Sequence, residues 1–101
     1  MDKNKAKSLL SDVRNYLDIT WEDEAGDEKL IGIIQRGSAY LQRYASRQLP
    51  FDEGTHERSL LLDYCRYARS GALDEFAKNY QTDLLTFRND EAVRDVNDGK
   101  E

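Results

Sequence analysis

Residues 19–49, which read ITWEDEAGDEKLIGIIQRGSAYLQRYASRQL, decide the fold of this chain. Five carboxylates lie in residues 22–28, and four basic side chains but no acidic one follow in residues 29–50. Beneath these charges, apolar or small residues recur at the spacing of one helical face. This face consists of Leu30, Ile33, Ile34, Gly37, Tyr40, Leu41 and Tyr44. The stretch therefore predicts an amphipathic helix that begins in the acidic run and ends near residue 47.

Two starting points for this helix are compatible with the sequence. Thr20 is a candidate N-cap, with Asp23 three residues later in the place of the capping-box acid. Alternatively, Gly26 allows a start near Asp27. Gly37 lies in the middle of the apolar face, where glycine costs about 1 kcal/mol relative to alanine. We therefore expect another helix to approach closely at Gly37.

The basic side chains of this stretch share one flank of the predicted helix. At 100° per residue they fall within about 40° of one another. Three interpretations stay open: a solvated flank, a site for phosphates, or a contact with another protein. The acidic run 22–28 of a neighbouring subunit would supply a complementary surface. The candidate contact residues on this flank are Lys29, Arg36, Arg43 and Arg47.

The acidic run itself does not predict a metal site. It lacks the alternating ligand order of a calcium-binding loop. Carboxylates near a helix N-terminus also interact favourably with the helix dipole, by roughly 0.3–1 kcal/mol each when exposed. The dipole therefore explains part of the charge in residues 22–28.

Helical periodicity continues on both sides of residues 19–49. Residues 5–17 predict a first helix, and Pro50 ends the second because the residue before proline is disfavoured in helical geometry. Residues 49–54 predict a loop, with Asp52 or Thr55 as the cap of the next helix.

Residues 55–88 are too long for one ordinary globular helix, and their apolar face rotates by roughly 100° near Gly71. Either the helix breaks near residues 70–71, or one long helix packs against two neighbours. In so short a chain, the second neighbour would be another subunit. Leu62, Leu73 and Tyr80 lie on one side of the predicted helix and are therefore further candidates for a subunit contact.

Composition predicts an all-α protein of one domain. The chain has 101 residues with a single proline, and its few β-branched residues never alternate over the length of a strand. We expect a small bundle of three to four helices in residues 1–88. Residues 89–101 carry many charges and few apolar side chains, and they predict a disordered, flexible C-terminal tail.

The same composition argues against several functional classes. The net charge of −5 disfavours non-specific binding to nucleic acid. No apolar run approaches the roughly 18 residues needed to cross a bilayer, so no membrane contact is predicted. A single cysteine, Cys65, is consistent with a reducing compartment. We expect the protein in the cytosol or in a particle assembled there.

No motif in the chain predicts an enzyme. Cys65 and the only histidine, His56, are nine residues apart, which is roughly 13 Å of rise if both are helical. A Cys–His catalytic pair needs hydrogen-bond contact, so Cys65 is interpreted as a small core residue. The sequence also lacks glycine-rich phosphate loops and nucleophile elbows. It predicts no catalytic residue, no cofactor and no metal.

Two segments together resemble a known family. Residues 15–44, NYLDITWEDEAGDEKLIGIIQRGSAYLQRY, and residues 58–85, RSLLLDYCRYARSGALDEFAKNYQTDLL, are similar to the head–tail connector (adaptor) proteins of tailed bacteriophages and related prophages. The shared features are a first helix ending in YLDITW, an acidic start of the second helix, and the YCRYA and EF–NY elements of the third. The resemblance covers roughly residues 9–88, most of the chain.

The resemblance implies a structural, non-enzymatic role in the virion at the interface between head and tail, after assembly in the bacterial cytoplasm. Such proteins are small helical bundles that form a ring, commonly of about a dozen subunits, beneath the portal protein. The ring extends the DNA channel and docks the stopper or tail-completion protein. DNA passes through without sequence-specific binding. The family supplies no catalytic residue to transfer.

A different function remains open from the residues alone. A small helical regulator would bind nucleic acid through the basic flank of the second helix, with an affinity that falls as salt rises.

Overall fold

The computed structural model of the chain describes residues 1–21 and 23–98. This part of the chain contains five helices and no strand: α1 (Lys3–Tyr16), α2 (Glu24–Gln42), α3 (His56–Arg69), α4 (Leu73–Asn79) and α5 (Gln81–Asp98). The all-α class predicted from the sequence is confirmed. The predicted three to four helices are too few, because residues 55–98 fold as three helices.

The helix α2 lies at the centre of the fold. It contacts both α1 and α3, while α4 packs against α3 and leads into α5. Side chains from all five helices and from the loop before α3 build one apolar core. Its fully buried members include Val13, Ile34, Leu41, Leu61, Cys65, Phe76 and Phe87. All of the helices are therefore positioned by one continuous core.

The acidic run begins α2, but at neither of the predicted starts. Asp23 is the N-cap, and its carboxylate accepts a hydrogen bond of 3.2 Å from the Ala25 N–H. Two further acids of the run reach α1: Asp27 lies 3.7 Å from Arg14, and Glu28 lies 3.3 Å from Lys3. The run therefore caps its own helix and joins it to α1; Glu22 lies outside the described residues.

The end of α2 comes earlier than the predicted residue 47, because a glutamine side chain organises the following loop. Gln42 is the last helical residue. Its amide nitrogen donates to the Arg47 carbonyl at 2.6 Å, and its amide oxygen accepts from the Leu49 N–H at 2.9 Å. These bonds satisfy the Arg47 carbonyl and the Leu49 N–H, which lie outside a helix and therefore lack the backbone partners that helical groups have. Thr55 then caps α3, as one of the two predicted candidates.

The helix breaks near residue 71, which is one of the two alternatives predicted from the sequence. Gly71 has a φ of +69°, and its N–H donates to the Ala68 carbonyl at 3.1 Å. The Ala72 N–H donates to the Tyr67 carbonyl at 2.8 Å. This pair of bonds is a Schellman motif, in which glycine adopts the left-handed conformation at little cost. The chain therefore turns sharply before α4.

The structure differs from the predicted flexible tail. α5 continues through residue 89 as far as Asp98, so no boundary separates residues 1–88 from the next ten. Glu91 in this segment is buried, and Arg47 binds it from the loop after α2. Composition suggested disorder because the local sequence does not reveal the partner of Glu91. That partner, Arg47, is 44 residues away in the sequence. Residues 99–101 lie outside the described residues.

The predicted close approach at Gly37 is confirmed, with α3 as the crossing helix. A Cβ atom added at Gly37 would lie 2.6 Å from a ring carbon of Tyr64 and 2.8 Å from a methyl carbon of Leu61. Both distances are far below van der Waals contact. The α2–α3 contact therefore depends on the missing side chain at Gly37.

Gly37→Ala is expected to lower the free energy of unfolding by about 1–3 kcal/mol, because the added methyl group overpacks the α2–α3 contact. Gly32→Ala in the same helix is the matched control. Its Cβ would meet only the tip of the Arg36 side chain, at 3.2 Å, so it should gain up to about 1 kcal/mol of helix propensity. Urea unfolding followed by circular dichroism measures both; two changes of the same sign would contradict the proposed overpacking.

Candidate interaction surfaces

Three of the four predicted basic residues form an exposed row along α2 and its C-cap residue, Arg43. Lys29, Arg36 and Arg43 follow one another at intervals of seven residues and all lie at the surface. None of the three forms an ion pair with another residue of the described ranges 1–21 and 23–98. We call these three residues the basic row.

Arg47 does not continue the basic row, because the helix has already ended. Its guanidinium lies between two buried carboxylates, one from α3 and one from α5. Arg47 Nε donates to Glu91 Oε1 at 2.8 Å and Nη2 donates to Glu91 Oε2 at 3.2 Å. Nη2 also lies 3.8 Å from Glu57 Oε2. Arg47 therefore joins α5 to α3 within one chain.

Aromatic rings form a second cluster, centred on Phe76. Its ring stacks on Tyr80 with 4.7 Å between centroids, and the rings of Tyr64 and Tyr67 meet it edge-on at 5.6 and 5.7 Å. Tyr40 from α2 also meets it edge-on, at 6.0 Å. Burial raises the pKa of Tyr40 to about 12, so its hydroxyl stays protonated at neutral pH. The high tyrosine content thus contributes mainly to the packing of α4.

The other three candidate contact residues differ in their place in the fold and in their exposure. Leu62 is half-buried against the core, and Tyr80 is half-buried on Phe76 with its hydroxyl accepting a 3.0 Å hydrogen bond from Arg66. Leu73 is exposed at the start of α4. Because the helix breaks at Gly71, Leu62 does not share one continuous helix with the other two.

An apolar face that sequence reasoning missed lies on the outside of α5. Leu85, Val93 and Val96 are 50%, 59% and 59% exposed, and Ala92 between them is exposed as well. At 100° per residue, all four fall within about 100° of one another. The helical spacing of these residues is visible in the sequence, but residues from 89 onward were assigned to a flexible tail. We call these four residues the outer face of α5.

Two carboxylates border the outer face of α5. Asp83 and Asp90 are exposed, seven residues apart, and neither forms an ion pair with another described residue. We call them the acidic edge. Side chains at the opposite edge contact other residues of the same chain. The Arg88 guanidinium lies 5.4 Å from the centre of the Tyr44 ring, and Asp95 accepts a 2.6 Å hydrogen bond from Ser46.

Cys65 and His56 are not brought together. Cys65 is fully buried in the core, and burial raises the pKa of its thiol to about 12. His56 is exposed, and its ring meets Phe87 edge-on at 5.6 Å. Within the described part of the chain, no three His, Cys, Asp or Glu side chains are placed to hold a metal ion.

The Cys65 thiol is expected to react with a thiol reagent only when the protein unfolds. Burial and a raised pKa both suppress the reactive thiolate at neutral pH. Modification of the native protein by a disulfide reagent should therefore be slow and should become rapid in denaturing urea. Rapid modification in native buffer, at a rate similar to that of a free thiol, would contradict the placement of Cys65 in the core.

A groove of about 720 Å³ lies between the start of α1, the C-terminal half of α2 and residues 48–52. Its lining mixes both signs of charge, because it includes the basic residues Lys5 and Arg43 and the acidic residues Asp2 and Asp52. The buried hydroxyl in its lining, on Ser38, already donates to the Gln35 carbonyl at 2.8 Å. The groove therefore presents no cluster of convergent polar groups for a ligand.

Among the described residues, no helix combines the length and apolar character needed to span a membrane. Comparison with protein-family models, with curated proteins and with solved structures finds no match to this chain.

Proposed function

We propose that this chain is a structural head–tail connector (adaptor) subunit of a tailed phage or prophage. In this role it forms a ring of about a dozen copies beneath the portal protein, extends the DNA channel, and docks the stopper or tail-completion protein. The observation that carries the proposal is the resemblance of residues 15–44 and 58–85 to that family. The proposed role is non-enzymatic.

Two features of the structure support a role in assembly. A ring needs heterologous contacts, in which two different surfaces of one subunit meet in neighbouring copies. The chain has two such exposed surfaces, the basic row of α2 and the outer face of α5. Exposed apolar side chains on one helical face are typical of protein contacts.

The charge of the chain also suits a DNA channel. With a net charge of −5, the subunit attracts few phosphates, because non-specific DNA affinity depends on displacing counterions with basic surface. DNA would therefore pass through a ring of such subunits without strong binding. We further propose the virion as the location of the assembled ring and the bacterial cytoplasm as the place of assembly.

Binding to a portal protein tests the proposal. The chain is mixed with the purified portal from the same phage or prophage and the mixture is fractionated by sedimentation. We expect the chain to co-sediment with the portal ring in a ratio close to one copy per portal subunit. A chain that remains entirely in the slow fraction and also forms no ring by itself would contradict the proposal.

The alternative function, a nucleic-acid-binding regulator, depends on the basic row. Its three exposed cations have no ion-pair partner among the described residues, so they are available to contact phosphates. It predicts DNA binding that weakens with salt and falls further when Arg36 and Arg43 are changed to Gln. Absence of DNA binding in a low-salt electrophoretic assay would eliminate this function.

A further inference from the structure

We propose that the outer face of α5 in one copy of this chain docks against the basic row of α2 in the next copy. The contact is heterologous, so it leaves one α2 surface and one α5 surface available for further copies. The inference rests on the proposed function only in taking the occupant to be a second copy; the surfaces themselves are observed in the single chain.

Charge complementarity identifies the occupant. The basic row supplies three cations on α2, and the acidic edge supplies two carboxylates beside the apolar outer face of α5. Within the described part of the chain, none of the five residues has an ion-pair partner. Opposite charges on exposed, unpaired rows favour docking between copies and oppose the alternatives in which two like rows meet.

The spacing of the two rows matches as well. Lys29, Arg36 and Arg43 repeat every seven residues, and so do Asp83 and Asp90. A seven-residue interval corresponds to about 10.5 Å along a helix. Two helices packed side by side can therefore place successive cations of one row beside successive carboxylates of the other without changing register.

The surface beside the basic row can receive apolar side chains. Gly32 and Ala39 lie next to it on α2, and Ala39 is exposed. Small residues at a helix surface allow a second helix to approach closely. The outer face of α5 presents Leu85, Val93 and Val96 to solvent, and docking on α2 would remove them from water. Burial of these side chains adds to the attraction between the charged rows.

The contact is small, so its expected affinity is low in the absence of other partners. Four apolar side chains and a few ion pairs cover less area than a stable dimer interface, which typically buries about 1,200–2,000 Å² in total. Exposed ion pairs are also screened by salt. Self-association should therefore be reversible, and it should strengthen at low ionic strength and high protein concentration.

A charge-exchange experiment tests the inference. One variant carries Lys29→Glu, Arg36→Glu and Arg43→Glu; a second carries Asp83→Lys and Asp90→Lys; a third combines all five changes. Asp52→Lys with Glu53→Lys is the matched control for the second variant, because it makes the same charge change in an exposed loop. Self-association is measured by sedimentation velocity at about 1 mM protein and about 10 mM salt, where charges act over about 30 Å. Circular dichroism verifies that each variant is folded.

We expect the wild-type chain to self-associate and each single-surface variant to associate at least about tenfold more weakly. The combined variant should recover to within about threefold of the wild type, because both rows have exchanged sign. Mixing the two single-surface variants should also restore association. The loop control should resemble the wild type.

Three results would overturn the inference: a wild-type chain that stays monomeric, single-surface variants that associate normally, or a combined variant that stays as weak as the single ones. If the variant with the three α2 changes associated as strongly as the wild type, the contact would instead join two α5 helices. Portal binding distinguishes this inference from the proposed function. If every charge variant still formed rings on the portal, only the inference would be overturned. If self-association depended on these charges but the chain did not bind the portal, only the connector role would be contradicted.

Discussion

Arg47→Ala is expected to lower the free energy of unfolding by about 3–5 kcal/mol, because it leaves the buried Glu57 carboxylate unpaired and leaves Glu91 with the more exposed Arg94, 3.5 Å away, as its remaining cation among the described residues. Glu57 and Glu91 have side chains that are only 4% and 6% exposed, and both have Arg47 within 4 Å. Without the guanidinium, two carboxylates from α3 and α5 would remain in a poorly solvated site. Urea unfolding measured by circular dichroism gives the change.

Arg43→Ala is the matched control for this prediction, because Arg43 is an exposed arginine without an ion pair in the described part of the chain. It should leave the free energy of unfolding nearly unchanged. In the Arg47→Ala background, Glu57→Gln should recover part of the loss, since it removes the carboxylate that has no other ion-pair partner among the described residues. Equal effects of Arg47→Ala and Arg43→Ala would show that the buried cluster does not stabilise the fold.

Phe76→Ala is expected to lower the free energy of unfolding by about 3–5 kcal/mol, the range measured for truncating large aromatic side chains in protein cores. Phe76 is 1% exposed and contacts four tyrosine rings from α2, α3 and the end of α4. It is also the only buried residue of α4. Its loss should therefore detach α4 from α3, and amide hydrogen exchange should accelerate in α4 before it does in α1 and α2.

Leu73→Ala serves as the control on the same helix, since Leu73 is 38% exposed. We expect only a small change in unfolding free energy and normal amide protection of α4. If Phe76→Ala were no more harmful than Leu73→Ala, the aromatic cluster would not be what holds α4 in place.

The features predicted correctly from the sequence are those with a local physical cause. The apolar spacing of residues 30–44 predicted the amphipathic helix α2, and the cost of glycine inside that face predicted the crossing at Gly37. The change of apolar face near Gly71 placed a possible break where a left-handed glycine now ends α3. Each of these signals lies within a few turns of the residue concerned.

The features that were missed depend on partners far away in the sequence. The helical wheel placed Arg47 beside Arg43, but α2 ends at Gln42, whose side chain binds the loop at Leu49. Arg47 is then available to bind Glu91, 44 residues later. Glu91 belongs to the segment whose composition suggested a flexible tail. A flexible tail presents no fixed helical face, so the outer face of α5 was not predicted either.

Electron microscopy of the chain with its portal tests the connector proposal most directly. Portal particles are imaged alone and after mixing with an excess of the chain at low salt, and the two averages are compared. We expect an added ring of helical density beneath the portal, with an open central channel continuous with the portal channel. Portal particles that look identical with and without the chain, together with a chain that forms no ring by itself, would contradict it.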